Sequence, residues 1–93
     1  MNFMKTFKYF NDIPKDFTGS CTVLDYQISI GYFVNGKLHN ENGYAIIYDD
    51  GIKAWYYKGK FYGWSKKFTN EYWKKRVEYI KYLEREEELQ IFK

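Results

Sequence analysis

Between residues 31 and 63, runs of aromatic and β-branched residues are cut at regular intervals by Asn35-Gly36, Asp50-Gly51 and Lys58-Gly59. Val, Ile, Tyr, Phe and Trp fit a pleated, half-buried surface, whereas Asn-Gly and Asp-Gly supply the positive φ angles of tight hairpin turns. The pattern predicts strands near residues 5–10, 20–25, 28–34, 44–48 and 52–58. Asp25, Tyr26 and Gln27 fall where Asp50-Gly51 falls one period later, with poorer turn chemistry. Shifted by 24, the sequence lays Tyr9-Phe10-Asn11-Asp12 on Phe33-Val34-Asn35-Gly36, Asp25 on Asp49, Ile28 on Ile52 and Tyr32 on Tyr56. A one-residue deletion then brings Asn35-Gly36-Lys37-Leu38 onto Lys58-Gly59-Lys60-Phe61. About two and a half units of roughly 23 to 24 residues result, each a hairpin that buries its face only against its neighbours.

After Gly63 the period changes to that of a helix. Thr69 is placed to cap it, Glu71 stands in the first turn where the helix dipole favours an anion, and Phe68 can staple against Trp73. Trp73, Val77 and Ile80 share one face, with Tyr72 and Leu83 slightly off axis, so this stripe is expected to lie across the sheet. Farther on, the same face carries Glu84, Glu87 and Glu88, whose unpaired burial is costly, so the helix is expected to run past the edge of the core. Lys75, Tyr79, Tyr82, Leu89 and Phe92 form a second stripe on the opposite face, of the kind a partner helix or second protomer uses. The expectation is one α+β domain over residues 1–93. An antiparallel β-meander of about five strands fills 1–63, and a linker with one C-terminal helix packed on one sheet face fills 64–93.

Composition adds three constraints. Ninety-three residues bury roughly 60 to 65% of the surface the unfolded chain exposes, so one small core is expected. Aromatics supply 24% of the residues, which makes that core one of few, large side chains. The single cysteine forms no internal disulfide, and neither a basic-then-apolar leader nor an apolar run of about 18 residues is present, so a soluble, cytoplasmic protein without membrane contact is expected. The net charge is only +3, but residues 58–76 hold Lys58, Lys60, Lys66, Lys67, Lys74, Lys75 and Arg76 against Glu71 alone. An acidic block follows.

Asn35-Gly36-Lys37-Leu38-His39, Glu41, Gly43 and Ala45, then Asp50-Gly51, Lys53, Trp55-Tyr56 and Gly59-Lys60, resemble the short repeats written NGKLHRxDGPA...DGxKxWYxxGK. Such MORN-like repeats occur in small phage and bacterial proteins. The chain departs from them in carrying Tyr44 where the repeat prefers Pro and Asn40 where it prefers Arg. The resemblance implies a β-meander scaffold used for partner contacts, and it implies no catalytic residues.

The chemistry-bearing side chains are few. His39, with Glu41 nearby and Asp49 or Asp50 a turn away, lacks the three or four convergent ligands of a metal site and the positioned partner of a general base, so packing is the better reading. Cys21 has Ala45 as its repeat counterpart and reads as a small buried side chain. No phosphate-cradling Gly-rich loop, metal motif or Ser-His-Asp pattern is present, so no catalytic residue, cofactor or metal ligand is assigned. A binding protein rather than an enzyme is expected.

The stretch with a physical case for a ligand is 58–76. Its cations are interleaved with Phe61, Tyr62, Trp64, Phe68, Tyr72 and Trp73, and cations attract phosphates while exposed rings stack on unpaired bases. The candidate contacts are Lys58, Lys60, Trp64, Lys66, Lys67, Lys74, Lys75 and Arg76, with Tyr79, Tyr82, Leu89 and Phe92 as candidate protein or dimer contacts. The leading expectation is a small phage or mobile-element accessory protein that docks on and inhibits a larger host protein or ribonucleoprotein, in the manner of anti-defence or anti-CRISPR inhibitors. Direct binding of RNA or single-stranded DNA through 58–76 is one alternative. A structural homodimer is another.

Overall fold

The structure, a computed structural model, describes residues 4–91. Seven strands form one mixed, mostly antiparallel sheet: β1 (Lys5–Phe7), β2 (Gly19–Val23), β3 (Ile28–Val34), β4 (Lys37–Leu38), β5 (Ile46–Tyr48), β6 (Lys53–Tyr57) and β7 (Lys60–Trp64). The helix α1 (Asn70–Ile91) follows, giving the α+β class expected from the pattern. The sheet order is β1-β2-β3-β5-β6-β7, with β4 folded back on β3.

Three strand details depart from the expectation. The N-terminal run is short and pairs with β2 in parallel, because a 3-10 turn at Phe10–Asp12 and the loop through Pro14 carry the chain back before β2 begins. Lys37–Leu38 and Lys60–Trp64 form strands of their own after the two glycine turns. The strand expected at 44–48 is confined to Ile46–Tyr48.

The turns follow the residues. Asn35 and Gly36 have φ of 50° and 76°, and Lys58 and Gly59 have 50° and 83°, the two successive left-handed residues of a type I′ hairpin. Both turns are clamped alike. The Asn35 amide donates to Thr18 Oγ1 at 3.0 Å and the Gly36 amide to the Phe17 carbonyl at 2.8 Å. In the next unit the Lys58 amide donates to His39 Nδ1 at 2.9 Å and the Gly59 amide to the Leu38 carbonyl at 2.8 Å. The Asp50-Gly51 reversal is looser: the Gly51 amide donates to the Tyr48 carbonyl at 2.9 Å, Gly51 takes φ of 88°, and Asp50 Oδ1 accepts from the Ile52 amide at 3.0 Å. Tyr26 and Gln27 make the equivalent turn with φ of 62° and 54°. Side chains with a Cβ hold this conformation at a cost.

Strand alternation divides the buried residues between two faces. On one face Cys21, Val23, Ile28, Phe33, Leu38, Ile46 and Ala54 are buried, with Phe7, Phe10, Ile13 and Phe17 from the N-terminal segment packed against them. On the other, Trp55 and Tyr57 meet Trp73 and Val77 of α1, with Tyr44, Tyr62, Phe68 and Ile80 around them. Thr69 Oγ1 accepts from the Tyr72 amide at 3.2 Å, and the Phe68 ring lies 5.2 Å from that of Trp73, so cap and staple form as the sequence indicates. The helix holds to the sheet one turn beyond Ile80, because Glu84 accepts from the Tyr57 hydroxyl at 2.8 Å and pairs with Lys58 at 2.6 Å. Glu84 therefore belongs to the helix–sheet contact instead of a free extension.

Gly51 faces open space, so Gly51→Val meets only the backbone strain of a β-branched residue at positive φ, about 1 to 3 kcal/mol. Gly36 combines the same φ sign with backbone atoms of Lys15 that would stand 2.8 Å from an added Cβ. Gly36→Val is therefore expected to lower the melting midpoint further than Gly51→Val. Equal midpoints would contradict the packing of the 13–18 loop on this hairpin.

Candidate functional site

The basic aromatic segment does not form one surface; the sheet edge and helix start send its side chains in three directions. Lys58 sits in a turn with its ammonium on Glu84, and its charge is thereby partly cancelled. Lys60 lies over the Tyr62 ring, 5.4 Å from its centroid. Trp64 points to the sheet face away from α1, with its ring 5.0 Å from Phe61 and 6.1 Å from Tyr48. Lys66 and Lys74 are exposed and line none of the described grooves that hold the other candidates. Lys67, Lys75 and Arg76 come together, lining a groove of about 510 Å³ with Phe68, Tyr72 and Tyr79.

This groove follows from helical spacing. Tyr72, Arg76 and Tyr79 stand at i, i+4 and i+7, so they share a face, and Lys75 lies one step round from Arg76. Trp73, the neighbour of Tyr72, is wholly buried, which anchors the helix while leaving Tyr72 66% exposed. Tyr79 is 52% exposed and stacks on Tyr82 with centroids 6.5 Å apart. The Lys75 ammonium lies 5.7 Å from the Tyr72 centroid. Of the candidate dimer contacts, Tyr79 and Tyr82 are thus adjacent and exposed, whereas Phe92 and the Leu89 side chain lie outside the described residues.

The sheet face away from α1 carries a second surface. N-terminal packing covers its β2–β3 side, but over β5, β6 and β7 the rings of Tyr48, Trp64, Phe61 and Tyr56 run in an unbroken band, with successive centroids 6.1, 5.0 and 5.5 Å apart. Beside the band lies a groove of about 370 Å³ lined by Phe10, Asn11, Tyr26, Ile28, Leu38, Ile46, Tyr48 and Tyr56. A second hollow, between Tyr26, Asp49, Asp50, Ile52 and Trp64, adjoins it. The charge pattern of the sequence pointed away from this face. Its signal was the alternation of Ile46 with Tyr48 and of Ala54 with Tyr56, read onto one side of the sheet.

His39 is held at three points. Its Nδ1 accepts the Lys58 amide, its Nε2 lies 3.2 Å from Glu41 Oε2, and its ring meets Tyr57 edge-on at 4.9 Å. Glu41 in turn pairs with Lys81 of the helix. Among the described residues no group of three or more His, Cys, Asp or Glu side chains is disposed to hold a metal ion. Cys21 is fully buried, and burial pushes its thiol pKa up, which lowers the thiolate fraction on which cysteine chemistry depends. No described helix is long and apolar enough to cross a membrane. Compared with protein-family models, curated proteins and solved structures, the chain matches none.

The helix–sheet contact carries charge that acid removes. The Lys58 ammonium, then the Tyr57 hydroxyl, hold the Glu84 carboxyl below its ordinary value of 4.5, and Lys81 does the same for Glu41. A carboxyl depressed in the folded state adds stability above its unfolded pKa and loses it as the pH falls through the folded one. The melting midpoint should therefore drop as the pH falls below about 4.5, and Glu84→Gln should drop less over the same range. Parallel curves for the two proteins would contradict the pairing.

Proposed function

We propose that this protein is a non-catalytic binding module that docks on a larger protein through the sheet face away from α1. The observation that carries the reading is the ring band. Trp64 is 55% exposed and Phe61 42% exposed, side by side on a rigid sheet and bordering the apolar groove floored by Ile28, Leu38 and Ile46. Large exposed aromatics that lie together rather than singly mark interaction sites, and Trp and Tyr dominate the binding energy of interfaces because they bury much area at little entropic cost. The sheet backbone preorders these rings, so little further ordering opposes binding. The resemblance of the repeats to those of small phage proteins favours a phage or mobile-element accessory protein whose partner is a larger host protein or ribonucleoprotein, which it blocks by occupying a surface.

The test is capture of a partner from host extract, treated with nuclease, by wild-type protein and by Trp64→Ala, Phe61→Ala and Tyr82→Ala. Trp64→Ala should weaken capture by about 2 kcal/mol or more, as expected of a central anchor, with an unchanged melting midpoint. Tyr82→Ala should leave capture intact. Equal capture by wild type and the Trp64 and Phe61 variants would overturn the reading.

A further inference from the structure

We propose that the groove between the Lys66-Lys67 loop and the flank of α1 is a binding site for single-stranded nucleic acid, independent of the docking face. Lys67, Lys75 and Arg76 line it together with Phe68, Tyr72 and Tyr79, and no carboxylate does. None of these three cations is in an ion pair among the described residues, in contrast to Lys58 and Lys81, which are matched to Glu84 and Glu41. Lys66 and Lys74 are exposed close by in sequence, so over residues 66–79 five cations face two carboxylates, those of Glu71 and Glu78. Glu71 and Glu78 flank Lys75 on its outer side, four residues before it and three after, each about 100° round the helix from the groove tyrosine that follows it, and the lining itself holds three cations and no carboxylate. The groove thus keeps a positive field that the modest net charge of the whole chain conceals.

The rings decide among anions. An acidic peptide would be held by the cations alone, whereas Tyr72 and Tyr79 present large exposed ring surfaces within the same groove. They sit seven residues apart on one helix face, a rise of about 10.5 Å, the length of two or three nucleotides of a strand. Cations along a backbone track, with aromatic faces between them, are the means by which proteins hold unpaired strands without reading sequence. A duplex keeps its bases stacked inside and offers these rings nothing. Arg76 adds a planar, permanently charged donor suited to phosphate.

The direct test is fluorescence anisotropy of a labelled mixed-sequence single strand, its duplex, and heparin as a polyanion without bases. At about 50 mM salt the protein should bind the single strand. With three phosphates neutralised and about 0.7 counterion released for each, affinity should fall about 15- to 20-fold on raising salt to about 200 mM. Lys75→Glu with Arg76→Glu should abolish binding. Tyr72→Ala and Tyr79→Ala should each weaken it about fivefold or more, while Tyr79→Phe, which keeps the ring, should bind like wild type. Trp64→Ala should leave oligonucleotide affinity unchanged, which separates this site from the docking face. Melting curves confirm that each variant is folded, and Tyr79→Phe serves as the matched control for the alanine variants. Absence of binding at the lower salt would overturn the proposal. Equal affinity for single strand, duplex and heparin, undiminished in the alanine variants, would also overturn it and assign the groove to acidic surfaces in general.

Discussion

Trp73 of the helix rests on Trp55 of β6, the strand next to the β7 edge, with ring centroids 5.4 Å apart, and both side chains are wholly buried. Tyr62 and Phe68 close around Trp73 at 5.6 and 5.2 Å, Tyr44 covers Trp55 at 4.3 Å, and Trp73 Nε1 donates to the Asn40 carbonyl at 2.6 Å. Two indoles of this size each remove on the order of 150 to 250 Å² from water, a large share of what a chain of this length can bury. This contact fixes the rotation of α1. Once Trp73 faces the sheet, Tyr72, Lys75, Arg76 and Tyr79 are directed along the flank, and the face of β5, β6 and β7 on the far side of Trp55 is left without a helix.

Around this clamp the chain spends its polar groups on positioning. Thr18 and His39 do the same work in successive units, each accepting the amide that opens a type I′ turn. His39 goes further, because it links the Lys58 turn to Glu41, and Glu41 to Lys81 of the helix. Glu84 joins Tyr57 and Lys58 to the helix one turn later. These partly exposed pairs are screened by solvent and add little individually, yet they tie the register of the helix to the hairpin. The lone histidine thereby commits both ring nitrogens to contacts between the hairpin, Glu41 and the Lys58 turn.

Much of the fold was legible because it is written in local chemistry. Asn35-Gly36, Lys58-Gly59 and Asp50-Gly51 placed three reversals, and Thr69 with Phe68 and Trp73 placed the helix start. The parallel pairing of β1 was not legible, since it depends on how Phe10, Ile13 and Phe17 pack on the far face and not on any turn signal. The candidate site was legible in part. A run of cations and rings between 58 and 76 could be counted, but which way each side chain points depends on a register shift between Trp55 and Tyr56 opposite β7 and on the pairing of Lys58 with a glutamate 26 residues away. Trp64 consequently stands on the sheet face away from α1, whereas Lys67, Lys75 and Arg76 stand in the groove.

The separation of these two surfaces by a buried indole pair is the central claim, and the three indole N–H groups report on it directly. Hydrogen exchange followed by NMR should find the Trp55 and Trp73 indole protons slow, since both side chains are fully buried, and the Trp64 proton fast, since that residue is 55% exposed. A Trp73 indole proton that exchanges as fast as that of Trp64 would mean that α1 does not dock through this contact, and neither the groove nor the bare sheet face would then be placed as described.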